Sequence, residues 1–95
     1  MAKTRIIVRI AGREYPITSS DSEEYVRRVA RYVDRKISDL SLATRLPAPE
    51  CATLAAVTIA DELAKMQEEL NRVRAQMESE RAELQKLRAE KEGKA

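Results

Sequence analysis

Residues 56 to 87 carry a stripe position every three or four residues, and all but one are apolar. One series reads Ala56, Leu63, Leu70, Met77, Leu84. The other reads Ile59, Met66, Val73, Glu80, Leu87, and Glu80 is the one charge on the stripe. Alternating spacings of 3 and 4 are the heptad of a coiled coil. An isolated helix would leave that stripe in water, so this part of the chain predicts assembly with partner helices. The pattern upstream differs. Thr4 to Ile10 alternates, with Ile6, Val8 and Ile10 on one face and Arg5, Ile7 and Arg9 on the other, which predicts a strand. Ala11-Gly12-Arg13 supplies a turn, with Gly12 free to take positive φ. Glu14 to Thr18 returns as a second strand, with Tyr15 and Ile17 on one face. Pro16 removes a ladder donor there, which predicts an edge or a bulge.

Ser19-Ser20-Asp21 is a run of N-cap residues, and Ser20 with Glu23 fits a capping box. A helix from about Ser22 to Leu42 follows. Its stripe is Val26, Val29, Val33, Ile37 and Leu40, with Ala30 beside them. Glu23–Arg27 and Glu24–Arg28 stand at the favourable i,i+4 spacing. Leu46-Pro47-Ala48-Pro49 ends this helix, and Pro49 suits the first turn of the next. The second helix is expected from about Ala48 to Glu92, near 67 Å at roughly 1.5 Å per residue. From Ala52 to Ala64 it is apolar on most sides and is expected to be buried in the head. After Lys65 only the seam stays apolar. The predicted fold class is α+β: a small β-hairpin-plus-helix head, residues 1–64, followed by a long C-terminal coiled-coil helix, its extension spanning residues 65–95.

The charges beside the seam predict its orientation. Arg74, Arg81 and Arg88 occupy e positions, and Glu62, Glu69, Glu83 and Glu90 occupy g positions. In a parallel pair Glu69 meets the partner's Arg74 and Glu83 the partner's Arg88. In a simple antiparallel pair like charges meet. Each exposed pair contributes about 0.2–1 kcal/mol, but the sign is consistent and predicts a parallel dimer. Leucine at one core position with β-branched Ile59 and Val73 at the other leans towards higher order. A dimer of dimers, a homotetramer, is the expectation. The oligomerisation set is Ile59, Leu63, Met66, Leu70, Val73, Met77, Leu84 and Leu87.

Composition narrows the function. The chain has 95 residues and a net charge of +2, and neither half segregates a charged tail. It has no histidine, one cysteine and two glycines. The commonest general base, a thiolate metal site and a phosphate-cradling loop are therefore missing, and no enzyme, cofactor or metal is expected. Cys51 reads as a small buried residue in a reducing cytosol. No signal peptide or membrane span is apparent, which makes the cytoplasm the expected location. Lys3, Arg5, Arg9 and Arg13 gather at the hairpin. Their reading stays open between an acidic protein partner, simple solubility and nucleic acid. With only Tyr15, Tyr25 and Tyr32 as aromatics, a base-stacking platform is not expected.

Three stretches then resemble one family. They are Ile10-Ala11-Gly12-Arg13-Glu14-Tyr15-Pro16-Ile17, the run from Glu24-Tyr25-Val26 through Val29-Ala30 and Tyr32-Val33-Asp34 to Ile37, and Leu54-Ala55-Ala56-Val57-Thr58-Ile59-Ala60-Asp61-Glu62-Leu63. In order and spacing they resemble the ZapA family of bacterial cell-division proteins, which bind and bundle filaments of the tubulin-like FtsZ. Thr58 stands where the family usually has asparagine. The resemblance implies paired heads at one end, two dimers joined through antiparallel long helices, FtsZ as partner, and a place at the mid-cell division ring. It also implies FtsZ contact through basic head residues, and Arg13 and Arg45 match such positions. Arg9 and Lys36 join them on charge alone. Two other readings remain: a generic coiled-coil adaptor binding another cytoplasmic protein through its basic head, and a nucleic-acid-associated dimer.

Overall fold

The computed structural model describes residues 2–93, so Met1 and Lys94-Ala95, the outer ends of the expected domain spans, lie outside the described residues. Four elements follow in order: β1 (Thr4–Ile10), β2 (Arg13–Ser19), α1 (Glu23–Thr44) and α2 (Ala48–Gly93). The order is the expected hairpin, helix and long helix. The chain divides into two units, with the division between Ile59 and Ala60.

In the first unit, β1 and β2 pair antiparallel without a bulge, from Thr4 opposite Ser19 to Ile10 opposite Arg13. The two-residue turn puts Ala11 at φ 54° and Gly12 at φ 78°. Positive φ at both central positions is what a type I′ turn requires, and its twist matches the strands it joins. Counting outward from the closing pair Ile10–Arg13, hydrogen-bonded and non-hydrogen-bonded pairs alternate. The pair Ile7–Pro16 falls on a non-hydrogen-bonded position. The expectation that Pro16 removes a ladder bond is therefore corrected: its missing N–H is one that would have pointed away from β1. On the outer edge of β1, the Ile7 carbonyl accepts a bond from Arg27 Nη1 at 3.1 Å. Arg27 also pairs with Glu23 at 2.7 Å, as the i,i+4 spacing predicts.

The helix cap is also corrected. Ser22, not Ser20, is the N-cap of α1, with extended backbone and its Oγ accepting from the Tyr25 N–H at 3.2 Å. The reason is local. Ser19 Oγ already accepts the Asp21 N–H at 3.0 Å, which folds the preceding residues into their own turn. Glu23 and Glu24 still favour the helix start through its dipole.

α1 lies across the hairpin, and two small clusters form the core. Ile6 and Val8 meet Val26 and Ala30. Ile37 meets Cys51 and Ala55, with Ile10, Val33 and Leu40 packed around them. Val29 is exposed, so the buried stripe of α1 excludes it. The expectation that Ala52 to Ala64 is buried also fails. Within this stretch only Ala55 is buried, and Leu54, Val57 and Leu63 are exposed. One hairpin and one helix can cover a single line along α2, and the single chain offers nothing to cover its other apolar sides.

The second unit is helix throughout its described residues. None of them is buried. Asp61–Lys65 and Glu69–Arg72 form ion pairs along its surface. No helix is long and apolar enough to cross a membrane among the described residues.

Candidate partner-binding site

The strand register decides where the basic residues of the hairpin point. Cross-strand partners share a face, so Arg13 lies on the side of Ile10, and Tyr15 on the side of Val8. That side faces the helices. Arg9 is opposite Glu14 on the other side, where a carboxylate stands next to it. The hairpin arginines therefore do not make one patch.

Arg13, exposed at the first position of β2, rims an open groove of about 350 Å³. Ile10, Tyr15, Ile37, Ala48, Pro49 and Ala52 are among its walls. The groove brings the hairpin tip to the corner between α1 and α2. Arg45 sits at that corner, three residues before Ala48, and is exposed. Its backbone is left-handed, φ 58° and ψ 22°, and its N–H donates to the Ser41 carbonyl at 2.9 Å. Glycine usually takes this C-terminal position because it has no Cβ to clash. The left-handed conformation costs an ordinary residue roughly 1–2 kcal/mol.

The corner is tied down on both sides of Arg45. Thr44 Oγ1 donates to the Leu40 carbonyl at 2.7 Å and accepts the Leu46 N–H at 3.3 Å. The fully buried Cys51 donates its thiol to the Leu46 carbonyl at 3.3 Å, and its N–H donates to the Pro47 carbonyl at 3.1 Å. Cys51 thus packs in the core and also fixes the corner. The loop that carries Arg45 is held by local bonds rather than left to move.

The remaining two candidates lie elsewhere. Arg9 borders a shallow depression at the edge of β1 beside Arg27 and Arg31. Lys36 is half-buried, and its ammonium stands over the Tyr32 ring at 5.3 Å, a cation–π contact. Neither borders the groove at Arg13.

Asp34 is a residue the sequence reading missed. Its Oδ1 accepts the Ala11 N–H at 2.8 Å, joining α1 to the hairpin tip. A signal did exist in the sequence. A two-residue type I′ turn usually begins with asparagine, aspartate or glycine, and here it begins with Ala11. An alanine in a left-handed position suggests outside support.

The oligomerisation set is open to solvent in the single chain. Leu63, Met66, Leu70, Val73, Met77, Leu84 and Leu87 keep between 40% and 70% of their surface exposed. Ile59 is half-buried. Among the described residues no group of His, Cys, Asp and Glu is placed to hold a metal ion.

Residues 6–91 match the family model described as "Cell division protein ZapA". A protein of that name from Geobacillus kaustophilus is 43% identical over 70 residues, which cover 73% of this chain and 77% of the relative. Another from Shouchella clausii is 35% identical over 68 residues, covering 70% and 87%. A solved structure described as a ZapA mutant dimer from Geobacillus stearothermophilus superposes with a TM-score of 0.68 at 40% identity. It covers 82% of this chain and 92% of that one.

Proposed function

The chain belongs to the ZapA family of cell division proteins, and from that premise we propose that it binds FtsZ filaments and cross-links them into bundles, promoting assembly of the division ring at mid-cell in the cytoplasm. The working particle is a homotetramer with two ends. Heads of residues 1–64 pair at each end, with parallel helices inside each dimer. Extensions of residues 65–95 join the two dimers. Each end grips a separate filament, and bivalency turns a modest affinity per head into stable bundling. Arg13 and Arg45 are the first contacts for carboxylates on FtsZ, with Arg9 and Lys36 secondary.

The observation that carries this reading is the uncovered seam. A helix keeps Leu70, Val73 and Leu84 at 46%, 40% and 50% exposure. A row of that length in water calls for a second helix along it. Arg13 at the rim of the groove and Arg45 at the turn between α1 and α2 are each exposed, and a guanidinium suits a carboxylate.

The test mixes the protein with the host's FtsZ and GTP and follows light scattering and pelleting. Scattering and co-pelleting should both rise with added protein. No change, with a tetramer confirmed in the same buffer, would move the function to the adaptor reading. Spin labels at the two ends of α2 check the orientation. Short label-to-label distances between like ends support parallel pairing inside the dimer, and their absence overturns it.

A further inference from the structure

Ala11 and Asp34 are 23 residues apart, yet a bond of 2.8 Å joins the Ala11 N–H to Asp34 Oδ1. Three observations give that bond a meaning beyond stability. Ala11 occupies a left-handed position, φ 54°, that alanine does not favour. Arg13 follows the turn directly and closes it opposite Ile10. Asp34 stands on α1, whose neighbouring Ile37 forms part of the wall that Arg13 faces across the groove. Ile10, which closes the turn, already packs against the Ile37 cluster, and the bond to Asp34 adds a second hold at the turn itself. A charge-assisted bond from the helix fixes it, because an ionised carboxylate accepts more strongly than a neutral oxygen.

We propose that Asp34 is a positioning residue: it clamps the hairpin tip to α1 and so sets where the Arg13 guanidinium stands for a carboxylate of the partner. The inference rests on the reading of Arg13 as a partner contact. Asp34 itself touches no partner. It acts through Arg13, by removing the freedom that Arg13 would otherwise lose on binding. The Ala11-Gly12 pair fits this arrangement. Gly12 takes φ 78° without strain, while Ala11, at φ 54°, carries the N–H that Asp34 accepts.

The experiment compares full-length wild type with Asp34→Ala, Asp34→Asn, Arg13→Ala and the Asp34→Ala/Arg13→Ala double variant. Three readouts are taken: amide hydrogen exchange at Ala11, backbone order at Gly12 and Arg13 from nitrogen relaxation, and FtsZ co-sedimentation. Asp34→Ala should speed Ala11 exchange at least about tenfold and loosen Gly12 and Arg13, as expected on losing a bond to a charged acceptor. FtsZ binding should weaken several-fold while the assembly mass stays constant. Asp34→Asn keeps an acceptor oxygen and should fall between wild type and Asp34→Ala, which guards against a fold lost in the alanine variant. The double variant should bind no worse than Arg13→Ala, because the two residues act as one unit. Unchanged Ala11 exchange and unchanged Arg13 order overturn the clamp. Losses that multiply in the double variant overturn its action through Arg13. A wild-type chain that does not pellet with FtsZ defeats the functional reading instead, and the exchange and order measurements then decide the clamp on their own.

Discussion

The two units of the chain depend on other chains to different degrees. All seven buried side chains among the described residues, from Ile6 to Ala55, belong to the first unit. The second has none among its described residues. Four of the seven are large aliphatic residues, Ile6, Val8, Val26 and Ile37. Each contributes about 1.5–3 kcal/mol on burial. That is a core, but a small one for a unit of this size. Val29, Leu54 and Val57 remain exposed around it. The seam has the opposite character. Its hydrophobic positions are regular, and none of them is fully buried within the chain. The first unit thus carries a core of its own, whereas the second buries none of its described residues within the single chain. The split explains why a pattern so legible in the sequence leaves no buried residue in the single chain.

The largest effect is expected where dependence on another chain is complete. Leu70→Glu puts a charge into the middle of the proposed seam, where burying it unpaired costs several kcal/mol. At micromolar concentration the tetramer should be lost by multi-angle light scattering, and FtsZ bundling with it. Far-ultraviolet dichroism should retain the signal of the hairpin and α1. A Leu70→Glu protein that stays tetrameric shows that the seam is not the joint. Next in size is Ile37→Ala, which leaves a cavity between Cys51 and Ala55. It should cost about 2–5 kcal/mol, read as a lower denaturation midpoint. If assembly reinforces the head, that midpoint should also fall on dilution. A midpoint independent of concentration would show that the first unit stands alone.

The same contrast shows what the sequence could and could not reveal. The hairpin was legible because Ile6, Val8 and Ile10 alternate and Ala11-Gly12 breaks the pattern. The seam was legible because its period is long and nearly unbroken. Burial on α2 was overestimated from Ala52 to Ala64 because a run that is apolar on most sides reads the same whether or not its own chain can cover every side. The cap was misplaced because Ser19, Ser20, Asp21 and Ser22 are all competent caps, and the bonds from the Asp21 N–H to Ser19 Oγ and from the Tyr25 N–H to Ser22 Oγ distinguish them only in the structure. The effect of Pro16 depends on strand parity, which is counted from the turn and not read from the proline. Asp34 was hidden for a different reason. Its partner is 23 residues away, and no local pattern links them. At the corner, Arg45 was assigned by resemblance, and its left-handed backbone came from the structure.

A smaller effect is expected from the groove. Arg13→Glu reverses the charge at an exposed position, so folding and assembly mass should not change. Affinity for FtsZ should fall about tenfold or more, since charge-assisted bonds are worth about 1.5–3 kcal/mol. Co-sedimentation across a salt series checks the electrostatic part: the wild type should weaken as salt rises, and the variant should respond less. Bundling by Arg13→Glu equal to wild type removes Arg13 from the site and leaves the groove without its charged rim.

The smallest effect separates the two roles that Arg45 combines. Arg45→Gly relieves roughly 1–2 kcal/mol of left-handed strain. It also adds about 0.4–1 kcal/mol of freedom to the unfolded chain. The balance is a gain of roughly 0–1.6 kcal/mol, visible as a slightly higher denaturation midpoint. The bond from its N–H to the Ser41 carbonyl is made by backbone and survives the change. What disappears is the guanidinium. If Arg45 is only a helix stop, the glycine variant should be a little more stable and should bundle FtsZ as well as wild type. If the side chain contacts the partner, stability and bundling should move in opposite directions, the first up and the second down. That opposition is the expected result. An arginine that stands in a left-handed position where glycine would fold better has its clearest use in what its side chain does outside the fold.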